Sequence, residues 1–486
     1  MRFDNGLTRW MLAIGALVLG LSVEPASAQC QVTERARLSA SDGQVGDQFG
    51  TAVSVSGQLA LIGSGWPFDR DSAYVFRFDG SSWIEEAKLT APDAPDRFGQ
   101  SVSISSDLMS GDVALIGAFF DDDGGTNVGS AYVFRFDGSS WVQEQKLLAD
   151  DGAPGDRFGI SVSISGDLAV IGAYRDDDGG TNAGSAYVFR FDGAQWNQEA
   201  KLIASDADLH AEFGFSVSTQ EAGGLLPGNE DVAAIGAPGH IGGGTAYVFQ
   251  VDASKWVQAA KLTSSDLAVF DVFGYSVSIS GDVVVIGAWG DDDSGQASGS
   301  AYVYEEPPGG WQDMTQTGKL TASDGAANDR FGFSVSNSPD IVVIGARLDD
   351  DAGFSSGSAY AFKKPAAGWG DVTEAAKMTA SNALAGDEFG FSVSVSGDVG
   401  VVGAIFQDQD PPFSNEGAAY VFDVTSATRD PCDTNCDGEV NSFDIEPFLD
   451  LLFGMATPCA DCSGDVNGDG TVDSFDIEPF LDCLFP

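Results

Sequence analysis

Residues 158–202 read FGISVSISGDLAVIGAYRDDDGGTNAGSAYVFRFDGAQWNQEAKL. Four strands follow one another in this stretch. Ser161 to Ser165 alternates polar and apolar residues, and a short Ser-Gly-Asp turn at 165–167 ends it. An apolar run closes on Gly172-Ala173, Ala186-Tyr-Val-Phe189 makes a third strand, and Trp196 to Leu202 a fourth. Period-2 alternation with β-branched and aromatic residues marks half-buried strands. Asp192-Gly193 separates the third from the fourth, as Asp79-Gly80 and Asp137-Gly138 do elsewhere, where a tight hairpin needs positive φ.

The same order recurs along the chain. Its leading Phe-Gly pair appears at Phe49, Phe98, Phe158, Phe213, Phe273, Phe331 and Phe389, spaced 49 to 60 residues apart. Four strands per unit at this period, with no helical pattern among them, predict an all-β fold, a seven-bladed β-propeller; the stacked solenoid, the structural alternative, usually has shorter repeats. The seventh unit lacks its fourth strand after Tyr420-Val421-Phe422. Val32 to Leu38 aligns with that missing strand, so the N-terminal residues are expected to complete blade seven and close the ring. Closure removes exposed strand edges.

A different pattern begins after the propeller. Two loops, Asp433-x-Asn435-x-Asp437-Gly438 ending at Asp444 and Asp465-x-Asn467-x-Asp469-Gly470 ending at Asp476, have oxygen ligands at positions 1, 3, 5 and 12 and glycine at 6. Calcium takes six to eight oxygens in this arrangement. The predicted ligand sets are Asp433, Asn435, Asp437, Glu439, Asn441 and Asp444, and Asp465, Asn467, Asp469, Thr471, Asp473 and Asp476, one Ca2+ each. After Arg429 there are fourteen acids and no Lys, Arg or His. A module this small and this acidic is expected to fold only with its metal.

Met1 to Ala28 reads as an export signal: Arg2 and Arg9, an apolar core from Met11 to Val23, and Ala26-Ser27-Ala28 for cleavage. The apolar core is too short to span a bilayer, so a secreted or cell-surface chain is expected, with no membrane span. The formal net charge of −50 disfavours nucleic acid and anionic membranes. Six cysteines in an exported chain point to disulfides. They allow fifteen pairings, among which the closing strand would bring Cys30 near Cys432. The resulting organisation is signal 1–28, propeller 29–424, linker 425–431 and calcium-binding domain 432–486.

The repeat resembles the FG-GAP repeat of the integrin α-subunit propeller, through Phe-Gly, Gly-Ala and Gly-Ser-Ala-Tyr-Val-Phe. Many such repeats carry a calcium loop between their first two strands. Here that link is only a short turn, as at 165–167 and 280–282, so those sites do not carry over. The C-terminal pair resembles a type I dockerin, an EF-hand-like helical module that plugs an exported protein into a cohesin. The resemblance implies partner recognition by Ser442-Phe443 and Ser474-Phe475, at loop positions 10 and 11. Pro447 and Pro479 early in the helices, and the added cysteines, depart from that family.

Acids also crowd one propeller face. Asp121 to Asp123, Asp176 to Asp178, Asp291 to Asp293 and Asp349 to Asp351 lie between second and third strands. Asp47, Asp96, Asp156, Asp271, Asp329 and Asp387 stand two residues before Phe-Gly. Both kinds of link emerge on the same side of an up-and-down blade. Two readings stand: turns in which Asp caps its own backbone, or a carboxylate surface for cations or a basic partner. Catalysis has little support, since His210 and His240 are the only histidines and there is no nucleophile elbow or phosphate loop. The expected function is adhesion or scaffolding, not catalysis. The propeller would bind an extracellular protein or glycan, and the tail a cohesin-like or cell-surface partner. The alternative is an accessory or catalytic component of a polysaccharide-degrading assembly.

Overall fold

The computed structural model describes residues 32–65, 71–91, 97–107, 111–221, 230–365, 368–408 and 415–424. The signal segment, Cys30, Cys432, Asp96, the 425–431 linker, both calcium loops and Ser442, Phe443, Ser474 and Phe475 lie outside the described residues. Thr33–Val424 forms one compact unit. No described helix is long and apolar enough to cross a membrane.

Seven antiparallel sheets make seven blades. Blade 3 is representative: Val162–Ser165, Leu168–Ala173, Ser185–Phe191 and Trp196–Leu202, paired in that order. Position within the blade explains the residue pattern of each strand. The second strand is buried throughout and therefore reads as a continuous apolar run. The outermost strand alternates, as in Trp83–Leu89, whose Ile84 and Glu86 side faces outward while Leu89 closes the core. Apolar clusters straddle neighbouring blades: Leu168, Val170 and Val188 of blade 3 pack with Phe213, Ile235 and Tyr247 of blade 4.

The ring closes as the sequence predicts. Thr33–Leu38 pairs antiparallel with Ala418–Asp423, joining Val399–Ala404 and Phe389–Ser396 in blade 7. Leu38, Val401 and Val421 then pack with Phe49, Ile62 and Tyr74 of blade 1.

The seven Phe-Gly pairs hold each blade to the one before it. Phe158 is fully buried, edge-on to Tyr187 at 5.4 Å and Phe189 at 6.0 Å of its own blade. Gly159 has φ +90, and its carbonyl lies 2.0 Å from where a β-carbon on Gly117, the Gly-Ala glycine of blade 2, would sit. Gly63 and Gly99, Gly172 and Gly214, and Gly403 and Gly50 meet in the same way. The two glycines of the repeat are thus two sides of one contact between blades.

The first strands form a second ring of contacts, around the central channel. The inner edge of each would leave N–H groups bare. A serine of the preceding blade covers one in every blade: Val55 N–H donates to Ser394 Oγ, Ile104 to Ser54, Ile164 to Ser103, Thr219 to Ser163, Ile279 to Ser218, Asn337 to Ser278 and Val395 to Ser336. All seven bonds measure 2.9–3.0 Å.

Blades 5 and 6 depart from the pattern. Trp311 and Trp369 precede short fourth strands, Gly318–Leu320 and Ala376–Met378, instead of opening them, and are buried. Met314–Thr315, just before the fourth strand of blade 5, adds a parallel fifth strand to blade 4.

Candidate functional site

The triple-Asp loops divide their work residue by residue. Asp176 is buried and accepts hydrogen bonds from Tyr187 OH at 2.8 Å and the Asp178 amide at 2.8 Å. Asp177 accepts the Asn182 amide at 2.7 Å, as Asp122, Asp292 and Asp350 do from Asn127, Ala297 and Ser355. Asp178 holds Lys201, the lysine of the Lys-Leu pair, whose Nζ also lies 2.7 Å from Asp151 and 2.9 Å from Asp176.

The knot repeats. Lys319 Nζ lies 2.7, 3.2 and 2.5 Å from Asp266, Asp291 and Asp293, and Lys377 engages Asp324, Asp349 and Asp351. Lys146 takes Asp121 and Asp123. The carboxylates of blades 5 and 6 converge closely enough to hold a metal ion, but an ammonium group stands among them. Burial pushes the Tyr132 phenol up to about 12, so it remains a donor. Burial pushes Asp266 up, and the Lys319 ammonium and its neighbours outweigh that and leave it below its usual value. Blade 4 has His240 at the first-Asp position, 3.6 Å from Asp206, which pairs with Lys261.

The aspartates two residues before Phe-Gly also face inward. Asp47, Asp156, Asp271, Asp329 and Asp387 each accept the amide three residues earlier, at 2.6–2.8 Å, and all are buried. Of the two readings of the acidic face, capped turns account for these residues and for the middle aspartate of each triplet. Lysine knots account for the other two. These carboxylates are held in place by turns and lysines, while the second and third of each triplet stay exposed and outnumber the lysines.

The channel mouth on this same face is built differently. The residue before each Phe-Gly, namely Gln48, Arg97, Arg157, Glu212, Val272, Arg330 and Glu388, has φ between +50 and +68. Left-handed backbone is uncommon outside glycine and costly for a β-branched residue such as Val272. The residue after each Phe-Gly stands at the start of the first strand. There Thr51, Gln100, Ile160, Phe215, Tyr275, Phe333 and Phe391 succeed one another around the mouth. Gln100 Nε2 donates to Thr51 Oγ1 at 3.0 Å. Phe215, Tyr275, Phe333 and Phe391 form a continuous arc with centroids 4.9, 4.9 and 5.2 Å apart, and Tyr174 extends it at 5.6 Å from Phe215.

Five arginines gather at these rings. Arg347 lies 4.2 Å from Phe333, Arg330 4.7 Å from Trp289, Arg157 4.9 Å from Phe120 and Arg175 5.3 Å from Tyr174; Arg97 is 5.6 Å from Phe120. Glu388 binds Arg347 at 2.8 Å, Glu212 lies near Arg175 and Arg157, and Asp71 accepts the Arg97 amide. Burial lowers Arg330, and the Arg347 guanidinium lowers it further. Arg175 Nε, Trp289 Nε1 and Gln100 Oε1 are buried without a hydrogen-bond partner.

Known proteins place this repeat. Residues 32–76, 83–134, 141–189, 196–249, 256–304, 314–362 and 372–422 each match the FG-GAP repeat. The chain belongs to the FG-GAP repeat family. No curated protein matches it. Among solved structures, a chain of "Crystal Structure of Mitotic Checkpoint Complex" is similar at 13% identity and TM-score 0.48, covering 83% of this chain and 98% of that one. That likeness carries no argument about function.

In this FG-GAP propeller the short Ser-Gly-Asp turns lie opposite the loop face. The channel-mouth residues were not singled out by sequence reasoning. They occupy the positions flanking Phe-Gly and following Gly-Ala, which vary between repeats. A usable signal was present: in a chain with 23 Lys and Arg against 73 Asp and Glu, arginine precedes Phe-Gly in three repeats of seven.

Proposed function

We propose that this chain is a secreted calcium-binding adhesion or scaffold protein. Its FG-GAP propeller binds an extracellular ligand, and its C-terminal calcium module, dockerin-like in sequence, anchors it to a cohesin-like or cell-surface partner. The observation that carries the binding role is the channel mouth, where aromatic and arginine side chains collect in an otherwise strongly acidic molecule. Such residues are enriched at recognition surfaces. The triplet and turn aspartates of the acidic face, on which a glycosidase pair would draw, are engaged by lysine, tyrosine and backbone amides among the described residues, which favours binding over the polysaccharide-degrading alternative.

The test compares the mature chain with one ending at Arg429. Calorimetry should find two calcium sites that disappear on truncation, with affinities of about 0.1–1 mM as in extracellular modules. The intact chain should attach to extracellular material of its source in calcium and detach in EGTA. Release of reducing sugar from a polysaccharide panel would move the assignment to the alternative. Failure to bind calcium would sink the anchoring role.

A further inference from the structure

We propose that the channel mouth receives the acidic tip of a projecting protein loop whose flanks are basic. This rests on the binding role above and names the partner's chemistry. The centre of the face is cationic among the described residues: Arg157 and Arg175 stand beside Glu212, and Arg330 and Arg347 beside Glu388. Arg330 and Arg347 repel one another, Glu388 is one carboxylate against the two, and a second would balance the pair. Arg175 Nε and Trp289 Nε1 are buried donors with nothing to donate to. Guanidinium forks match carboxylates in geometry and bind them strongly. The faces of Phe120, Tyr174, Trp289, Phe333 and Phe391 already carry the chain's own arginines, so a second cation would meet repulsion there.

The surround has the opposite sign. Asp122, Asp123, Asp177, Asp178, Asp292, Asp293, Asp350 and Asp351 are exposed on the same face. Each triplet sets three carboxylates against one lysine. A polyanion lying across the disc would meet this annulus and be repelled. A single acidic tip entering the centre, with Lys or Arg on either side, complements both zones. The rim is also apolar: Ile241, Phe270 and Phe354 are 72, 82 and 78% exposed on loops of this face. Apolar loop tips around a charged centre suit a protein surface.

A disulfide-constrained loop library displayed on phage, panned against the full chain, tests this. Recovered loops should carry one central Asp or Glu with Lys or Arg on both sides. Changing that acid to Gln or Asn in the loop should weaken binding about tenfold or more, as should Arg330→Gln or Arg175→Gln in the protein. The loop-side change keeps the test decisive if a protein variant fails to fold. Arg330→Glu should in turn accept loops with a central Lys. Loops without a central acid, loops indifferent to all these changes, or no enrichment at all would overturn the inference. So would polygalacturonate binding at the mouth in their place. A chain that still attaches through calcium while its mouth rejects every loop would refute this inference and leave the anchoring role standing.

Discussion

The amide of Val55 donates to the hydroxyl of Ser394 at 3.0 Å, across 339 residues of sequence. This bond crosses the seam where blade 7 meets blade 1, and six equivalents cross the other blade boundaries. Replacing one serine leaves one inner-edge amide to water or to nothing. Ser394→Ala should cost about 1 kcal/mol, read as a shift in urea midpoint with unchanged slope. Ser163→Ala should cost a similar amount, and the two should add, because the sites share no partner. A seam serine much more costly than an interior one would mean that closure depends on it specially.

Gly63 and Gly99 set a harder limit. A β-carbon on Gly63 would lie 1.9 Å from the Gly99 carbonyl oxygen, and neither backbone can retreat without parting two blades. Gly63→Ala should therefore cost more than about 3 kcal/mol or prevent accumulation of folded protein. Gly57→Ala is the control: nothing lies within 4 Å, and only its φ of +57 opposes the change. It should cost about 1–2 kcal/mol. Equal thermal melting of the two variants would contradict the close-contact account.

Lys319 does in blade 5 what a bound cation would do. Lys319→Met should leave Asp266, Asp291 and Asp293 facing one another and cost about 2–3 kcal/mol, between the exposed and buried limits for broken ion pairs. The same variant should gain a response to calcium. Millimolar CaCl2 should raise its melting temperature more than that of the wild type, measured in chains ending at Arg429. No difference would show that the three carboxylates relax apart once the lysine is gone.

Two sets of aspartates pull the pH dependence in opposite directions. Burial, with neighbouring carboxylates, pushes Asp156, Asp329 and Asp387 up to about 6. The unfolded chain titrates such groups near 4. Between about pH 6 and 4 the native state therefore holds more protons, so these groups should make the propeller more stable as pH falls from 7 toward 4.5. The gain should be about 1 kcal/mol per group once solvent screening is allowed for. Asp151 and Asp266 are exposed at their edges, and lysine and tyrosine hydrogen bonds outweigh partial desolvation and hold them below their usual values. Their contribution is present above about pH 4 and fades as pH falls further. Stability should thus peak in mild acid, and Asp329→Asn should flatten the rise between pH 7 and 5.

The ring was legible because its signals repeat. Phe-Gly counts the blades, and Val32 to Leu38 fits the gap left after Phe422. The serine collar was not, since Ser-Val-Ser-Ile-Ser alternates as any half-buried strand would, and nothing local says that Ser163 reaches the amide of Thr219. The lysine knots were half legible. The triple aspartates stand out, but their partner, Lys201, sits in a Lys-Leu pair that reads as the end of an ordinary outer strand. The channel mouth was least legible for the opposite reason: a repeat is recognised by what stays constant, and Arg330, Tyr275 and Phe333 occupy positions that change from blade to blade.

Of the propeller's strands, Thr33–Leu38 leaves the ribosome first and finds its partner, Ala418–Asp423, last. Until some 380 residues more have been made, blade 7 does not exist and the outer edge it will cover is not yet there. The final fold is therefore a test of completeness. A product cut short before Ala418 keeps a strand without its partner and a disc with a gap, open to proteolysis, whereas a chain that has passed Asp423 can seal the ring. Contacts of such sequence separation form slowly. The propeller's first strand thus reports, by docking, that its last one has arrived.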